Sequence, residues 1–315
     1  MKKTITALYT RLIRARIKRT AADMHPNPNQ RVQTIDAHRL TYLYYSGTGP
    51  PLLLMHANGF QPWLWHPVAR RLAPHYTIIA PYFCDHRIVE PEEGLQWKLL
   101  AQDLFRFCRE LKLERPLVAG HSMGATVATM AEALFGLNAA AMVLIEPIFL
   151  PPALYHPPHA PETAPLVEKA LKRRNRWEDP ADARAYLKSK PLFADWDEEA
   201  LNLYIDHGMV TDGEGGLRLA CAPAREAALF AGDRHYDPWP ELPRVTCPVL
   251  ILGGGKSDLR NFIDLREAAS RFPSGRYQLV PDAGHLIPME QPGATARIIH
   301  DYFAERDEDP AVSSG

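Results

Sequence analysis

The sequence predicts an α/β protein: a mostly parallel sheet with helices on both faces, interrupted by a helical insertion. Three observations predict it. Short runs such as Leu52 to His56 and Ala141 to Ile145 are apolar throughout instead of alternating, as strands buried on both faces require. Segments of helical period separate these runs, as crossover connections between parallel strands demand. The alternation lapses for about 100 residues after Ile145 and resumes at Val249. With 315 residues, 46% hydrophobic and 23% charged, the chain can bury a large core and has ordinary globular composition.

Residues 1–30 read as a unit of their own. Ile5, Leu8, Tyr9, Leu12, Ile13 and Ile17 recur at helical spacing, and Lys2, Lys3, Arg11, Arg14, Arg16, Lys18 and Arg19 surround them without a single acid. The formal net charge of −1 therefore averages this basic leader with an acidic body of 29 basic and 37 acidic residues. A balance so close to zero excludes a dedicated nucleic-acid binder. Peripheral contact of residues 1–20 with an anionic membrane is one expectation; a docked helix and an organelle-targeting leader are the alternatives. No apolar run reaches the ~20 residues needed to cross a bilayer, and His25-Pro26-Asn27-Pro28-Asn29 reads as a linker.

A hairpin follows at Val32 to Asp36 and Leu40 to Tyr45, then strand Leu52 to His56, helix Trp63 to Leu72, strand Thr77 to Phe83 and helix Leu95 to Leu111. Strand Leu117 to Gly120, helix Met123 to Phe135 and strand Ala141 to Ile145 complete the first part, and 31–146 is assigned to the core. Residues 244–305 complete it, with strand Val249 to Leu252, helix Asn261 to Arg271, strand Tyr277 to Val280 and helix Ala294 to Phe303. The last stretch, 306–315, reads as a disordered tail.

The chemistry concentrates in Leu117-Val118-Ala119-Gly120-His121-Ser122-Met123-Gly124. An apolar strand, Gly-x-Ser-x-Gly and a helix of small residues make a turn so tight that the serine backbone is strained and its hydroxyl projects. The helix N-terminus beneath adds positive potential. With His56-Ala57-Asn58-Gly59-Phe60 after a strand and Gly284-His285 after the last one, the chain resembles the α/β-hydrolase fold from about Val32 to Phe303.

That resemblance implies Ser122 as nucleophile and His285 as general base, with backbone N–H groups of Asn58 and Met123 as the oxyanion hole. The family commonly has glycine where Ala57 stands. For the acid two candidates remain. The family's usual place falls in Gly253-Gly254-Gly255-Lys256-Ser257-Asp258, where gapless alignment puts Ser257 and one inserted residue puts Asp258. Glu146 ends the strand before the insertion, where some members such as haloalkane dehalogenases carry their acid. A glutamate directly after an apolar strand needs a partner or incurs a desolvation cost, which favours Glu146 over Asp258. Dehalogenases and epoxide hydrolases of this fold use an aspartate nucleophile, so Ser122 disfavours both activities. Asp85, His86 and Arg87 read as a structural polar cluster.

Residues 147–243 are expected to form a helical cap. Seven prolines between Pro147 and Pro165 suit a stiff strap leading into it. Leu166 to Trp177, Asp182 to Lys188 and Glu198 to His207 read as helices, and Asp212 to Gly216 as a loop. Trp177, Phe193, Trp196, Leu201 and Tyr204 could wall a pocket or pack onto the core. Lys172, Arg173, Arg174 and Arg176 could attract an anion or form a solvated face. No cofactor and no metal site are expected: Cys84, Cys108, Cys221 and Cys247 are scattered, and His156, His159 and His207 lack ligand spacing.

The functional expectation is a cytoplasmic serine hydrolase acting on a small-molecule carboxylic ester, thioester or lactone with an apolar part. Acyl transfer or C–C bond hydrolysis on the same residues is the alternative. A membrane-surface binding protein with vestigial activity is the expectation from another class. Oligomeric state is not legible.

Overall fold

A computed structural model describes residues 27–83, 86–87, 94–155 and 165–307. The basic leader, Cys84, Asp85, His156, His159 and most of the expected tail lie outside the described residues, so the membrane-contact expectation does too.

Ten strands are present among the described residues. They are β1 (Asn29–Ile35), β2 (His38–Tyr45), β3 (Pro51–Met55), β4 (Thr77–Pro81), β5 (Leu117–His121), β6 (Ala141–Ile145), β7 (Met209–Thr211), β8 (Leu217–Leu219), β9 (Val249–Gly254) and β10 (Gly275–Val280). Eight form one sheet in the order β1-β2-β4-β3-β5-β6-β9-β10. The β1–β2 and β2–β4 pairs are antiparallel and the rest parallel, so the sheet is mostly parallel as the apolar runs predict.

Side-chain alternation divides the core. Leu53, Met55, Val118, Met142, Leu144 and Ile251 face α2 (Trp97–Glu110), α3 (Met123–Phe135) and α8 (Leu265–Arg271). Leu52, Leu54, Ala119, Val143, Ile145 and Leu252 face α1 (His66–Leu72) and α9 (Pro292–Asp307). Period-two alternation on fully buried strands needs apolar residues at every position, which is why these runs carry no polar face.

The stretch between β6 and β9 holds α4 (Pro165–Leu171), α5 (Pro180–Lys188), α6 (Glu198–Gly208) and α7 (Pro223–Ala231). Trp177, Phe193, Trp196, Leu201 and Tyr204 pack there with Ala57, Phe60, Leu64, Leu286 and Met289 from the loops at the strand ends. The aromatic residues are thus a core shared between insertion and sheet.

Two helix boundaries change, and the expected loop is found between two unexpected strands. The helix expected to run to Trp177 stops at Leu171, and Trp177 instead exchanges backbone hydrogen bonds with Leu217 at 3.0 and 2.8 Å. The loop Asp212 to Gly216 is the turn of the β7–β8 hairpin, with Asp212 Oδ1 accepting from Glu214 N and Gly216 N at 2.9 Å each. The helix expected from Asn261 begins at Leu265, because Asp264 accepts from Arg266 N and Glu267 N and caps it there. Among the described residues no helix is long and apolar enough to cross a membrane.

Candidate active site

Ser122 sits between β5 and α3 with φ 53° and ψ −119°, a conformation unusual for a residue with a side chain. Its N–H donates to Ile145 O at 2.8 Å, and its carbonyl accepts from Ala125 N and Thr126 N at 3.1 and 3.2 Å, starting the helix. The flanking glycines are steric requirements. A Cβ at Gly120 would lie 2.6 Å from Ala125 Cα, and one at Gly124 would lie 2.6 Å from both His56 O and Met55 O. Strand, helix and the loop after β3 therefore close on one another only with hydrogen at these two positions.

Ser122 Oγ lies 3.1 Å from His285 Nε2, and His285 Nδ1 lies 3.1 Å from Glu146 Oε2. Glu146 also has a positive φ, 49°, and its N–H donates to Leu252 O at 2.8 Å, one rung beyond the end of β6. Its side chain is wholly buried. Gly254 N donates to Oε1 and Ser257 Oγ to Oε2, each at 2.6 Å. With His285 that makes three donors, the compensation a buried carboxylate needs. With Nδ1 of His285 donating to Glu146 Oε2, Nε2 is left to offer its lone pair to the Ser122 hydroxyl.

Asp258 is not brought into this chain of contacts. It is exposed in the 3₁₀ turn Asp258–Asn261, one residue beyond Ser257, which occupies the place where the sequence comparison expects an acid.

The backbone around His285 is held by two groups that the sequence reading does not single out. Glu290 Oε2 accepts from Gly284 N at 2.5 Å and its Oε1 from Leu286 N at 3.2 Å, so one carboxylate clasps both sides of the histidine. His121 Nε2 donates to His285 O at 2.9 Å. Burial pushes the His121 pKa down to about 3, with the charges of His285 and His56 adding to the effect and the bond to His285 O opposing it. His121 is therefore a neutral donor at physiological pH. A Glu five residues after the histidine is the only sequence signal that could have pointed to the clasp.

The loop after β3 carries Asn58. His56 Nε2 accepts from Phe83 N at 3.0 Å, so its Nδ1 holds the proton and donates to Ala57 O at 2.9 Å. Phe60 N closes the turn onto Ala57 O at 3.3 Å, and Gly59 takes φ 75°. The Asn58 amide donates to Glu226 O at 3.2 Å, while its Oδ1 is buried without a partner among the described residues. Met123 is the first residue of α3, where backbone N–H groups have no acceptor inside the helix. The Gly124 contact brings this helix end directly against the loop.

Asp103, buried on α2, accepts from His86 Nε2 at 2.9 Å and Arg87 Nη2 at 2.8 Å. Burial opposes its ionisation, but these bonds and charges outweigh it and hold its pKa down at about 2. His86 and Arg87 thus brace the chain after β4, in keeping with a structural cluster. The four basic residues between 172 and 176 are all paired: Lys172 with Glu168, Arg173 with Glu226, Arg174 with Asp182 and Arg176 with Glu214. His207 stacks on Trp63 at 3.8 Å. Among the described residues no group of three or more His, Cys, Asp or Glu is placed to hold a metal ion.

Comparison with known proteins places the chain in a family. A profile described as the alpha/beta hydrolase family matches residues 52–298. An abhydrolase domain-containing protein of Alternaria alternata is 28% identical over 62% of this chain and 85% of its own. The 2-(acetamidomethylene)succinate hydrolase of Mesorhizobium japonicum is 26% identical over 85% of this chain and 94% of its own. A crystal structure of E-2-(acetamidomethylene)succinate hydrolase superposes with a TM-score of 0.71 at 23% identity, covering 88% of this chain and 99% of the other.

Proposed function

The chain belongs to the alpha/beta hydrolase family and is a hydrolytic enzyme, and from that membership we propose that it is a serine hydrolase that cleaves a carboxylic ester, thioester or lactone with an apolar part. The observation that carries this reading is the relay from Ser122 Oγ through the His285 ring to Glu146, with 3.1 Å at each step. In the proposed reaction His285 Nε2 takes the Ser122 proton as Oγ bonds to the substrate carbonyl carbon. The carbonyl electrons move onto oxygen, where the N–H groups of Asn58 and Met123 receive the charge. The intermediate collapses to an acyl-Ser122 ester, and the leaving alkoxide or thiolate takes the proton from His285. Water then repeats the sequence, with His285 as base and Ser122 as leaving group, and the carboxylic acid is released. Glu146 keeps the ring oriented and stabilises its cationic form without itself becoming protonated.

Residues 147–243 serve in this proposal as a cap over the site, supported by the aromatic cluster that joins Trp196 and Tyr204 to Phe60. In this fold the cap sets specificity, so the ester class is defined more firmly than its groups.

The test is a series of p-nitrophenyl esters of increasing acyl length, with p-nitroacetanilide added because of the acetamido compound named for the relative, on wild type and Ser122→Ala. Turnover that falls at least about 1000-fold in the variant is expected, because the nucleophile is lost, together with fluorophosphonate labelling of wild type alone. Equal turnover by both proteins, or no labelling of Ser122, would overturn the reading and favour a binding role.

A further inference from the structure

The insertion places a negative charge against the loop proposed to bind the oxyanion. A Cβ built on Gly59 would lie 2.8 Å from Glu226 Oε1 and 2.9 Å from Glu226 Cδ, so the carboxylate rests on the Gly59 backbone, the residue after Asn58. The same residue accepts the Asn58 side chain on its backbone oxygen at 3.2 Å. A carboxylate at this place repels the negative charge that develops on the carbonyl oxygen during acyl transfer, and partial burial strengthens the repulsion.

One group answers that charge. Arg173 Nη1 donates to Glu226 Oε2 at 2.7 Å, and Arg173 Nη2 donates to Tyr204 Oη at 2.7 Å. The side chains are only 20% and 12% exposed, so solvent screens the pair weakly. Tyr204 in turn meets Phe60 edge-on with ring centroids 5.8 Å apart. The guanidinium is thus fixed at both arms, against the acid and against a residue touching the loop.

We propose that Arg173 is a positioning residue for the reaction: by neutralising Glu226 where it contacts Gly59, it lets the oxyanion loop accept negative charge. Glu226 ties the insertion to Asn58, and Arg173 removes the electrostatic penalty of that tie. The inference rests on the serine-hydrolase reading and deepens it. It carries a sign that a purely structural role lacks, since loss of the cation is harmful only while the acid remains.

The experiment compares Arg173→Met, Arg173→Lys, Glu226→Gln and the double variant Arg173→Met/Glu226→Gln, with Ser122→Ala as control, on a p-nitrophenyl ester that wild type turns over. The readouts are kcat, KM and the affinity of an alkyl boronic acid, whose serine adduct mimics the tetrahedral intermediate. Arg173→Met should lower kcat about 10-fold, less than the loss of a whole oxyanion donor, with KM within about 2-fold and boronate affinity reduced in parallel with kcat. Arg173→Lys and the double variant should stay within about 3-fold of wild type, and Glu226→Gln should not fall below the double variant. Should Arg173→Met not fold, Arg173→Gln is the milder single variant, with the same loss expected. Unchanged kcat in the single variant overturns the proposal, as does a double variant as impaired as the single one or a loss confined to KM. Wild-type turnover in Ser122→Ala would instead overturn the reading beneath it.

Discussion

Ser257 Oγ and His285 Nδ1 converge on the same oxygen of Glu146, at 2.6 and 3.1 Å. The serine stands where the resemblance to the family leads an acid to be expected, and it donates a hydrogen bond to the side chain of Glu146 at the end of β6. Two places for an acid therefore lie within one hydrogen bond of each other, and only one holds a carboxyl group.

Glu146→Gln is expected to lower kcat/KM by about 1000-fold or more, because the amide cannot hold the ring in its working tautomer. Asp258→Asn should stay within about 2-fold, as an exposed group away from the relay. In the Glu146→Gln background, Ser257→Asp should recover part of the loss, at least about 10-fold. Steady-state kinetics on one ester decides all three. A larger loss for Asp258→Asn than for Glu146→Gln would reverse the assignment.

The Glu290 clasp predicts an effect at one remove. Glu290→Ala leaves Gly284 N and Leu286 N without their acceptor, which costs about 1–3 kcal/mol where those groups are buried. His285 is then less well placed, and kcat should drop about 10- to 100-fold with Ser122 still present for labelling. Fluorophosphonate labelling slowed in parallel with kcat is the expected signature; a wild-type labelling rate would argue against the clasp.

Stability should fall as the medium becomes acid. Burial pushes His121 down to about 3, and burial together with the charges of Arg70 and His207 pushes His66 down to about 4. Between those values and the ordinary 6.5, the unfolded chain binds protons that the folded protein refuses. Stability is therefore fully present above about pH 6.5 and is lost on acidification, with a slope near 1.4 kcal/mol per pH unit for buried His121. Urea midpoints measured from pH 7.5 to 4.5 should decline, and less steeply in His121→Gln. A flat wild-type profile would contradict the buried neutral histidines.

The basic leader yields a prediction from sequence alone. If residues 1–20 contact an anionic membrane, deleting residues 1–24 should abolish co-sedimentation with anionic vesicles, since the seven positive charges would supply about 1 kcal/mol each of the attraction. Soluble-ester turnover should be unchanged. Equal vesicle binding by the truncated protein would remove the interfacial role.

Legibility in the sequence followed the range of the interactions. The mostly parallel sheet was implicit in the apolar runs, and the contacts of Ser122 and His285 in two motifs, the first with steric reasons for Gly120 and Gly124. Glu146 could be favoured because a lone acid after a buried strand needs donors, yet Ser257 and Gly254 could not be named as those donors without the fold. The β7–β8 hairpin and α7 stayed hidden, since their residues reach their partners only through tertiary contacts such as Trp177 with Leu217. Asp264, not a residue near Asn261, caps the helix because the chain spends one 3₁₀ turn before it. The basic run at 172–176 could serve as an anion site or a solvated face, and its cations are paired with acids that range from Glu168, four residues before Lys172, to Glu226, 53 residues beyond Arg173.

The amides of Ser122 and Glu146 each continue a parallel ladder by one bond beyond its strand, reaching Ile145 O and Leu252 O in the middle of an eight-stranded sheet. Hydrogen exchange at these two amides should accordingly require the sheet itself to open, whereas the amides of β7 and β8 in the insertion can exchange by local opening. Ser122 and Glu146 then belong to the last part of the molecule to unfold, and thermal loss of activity that precedes global melting would be a failure of the insertion between β6 and β9 and not of the proposed relay.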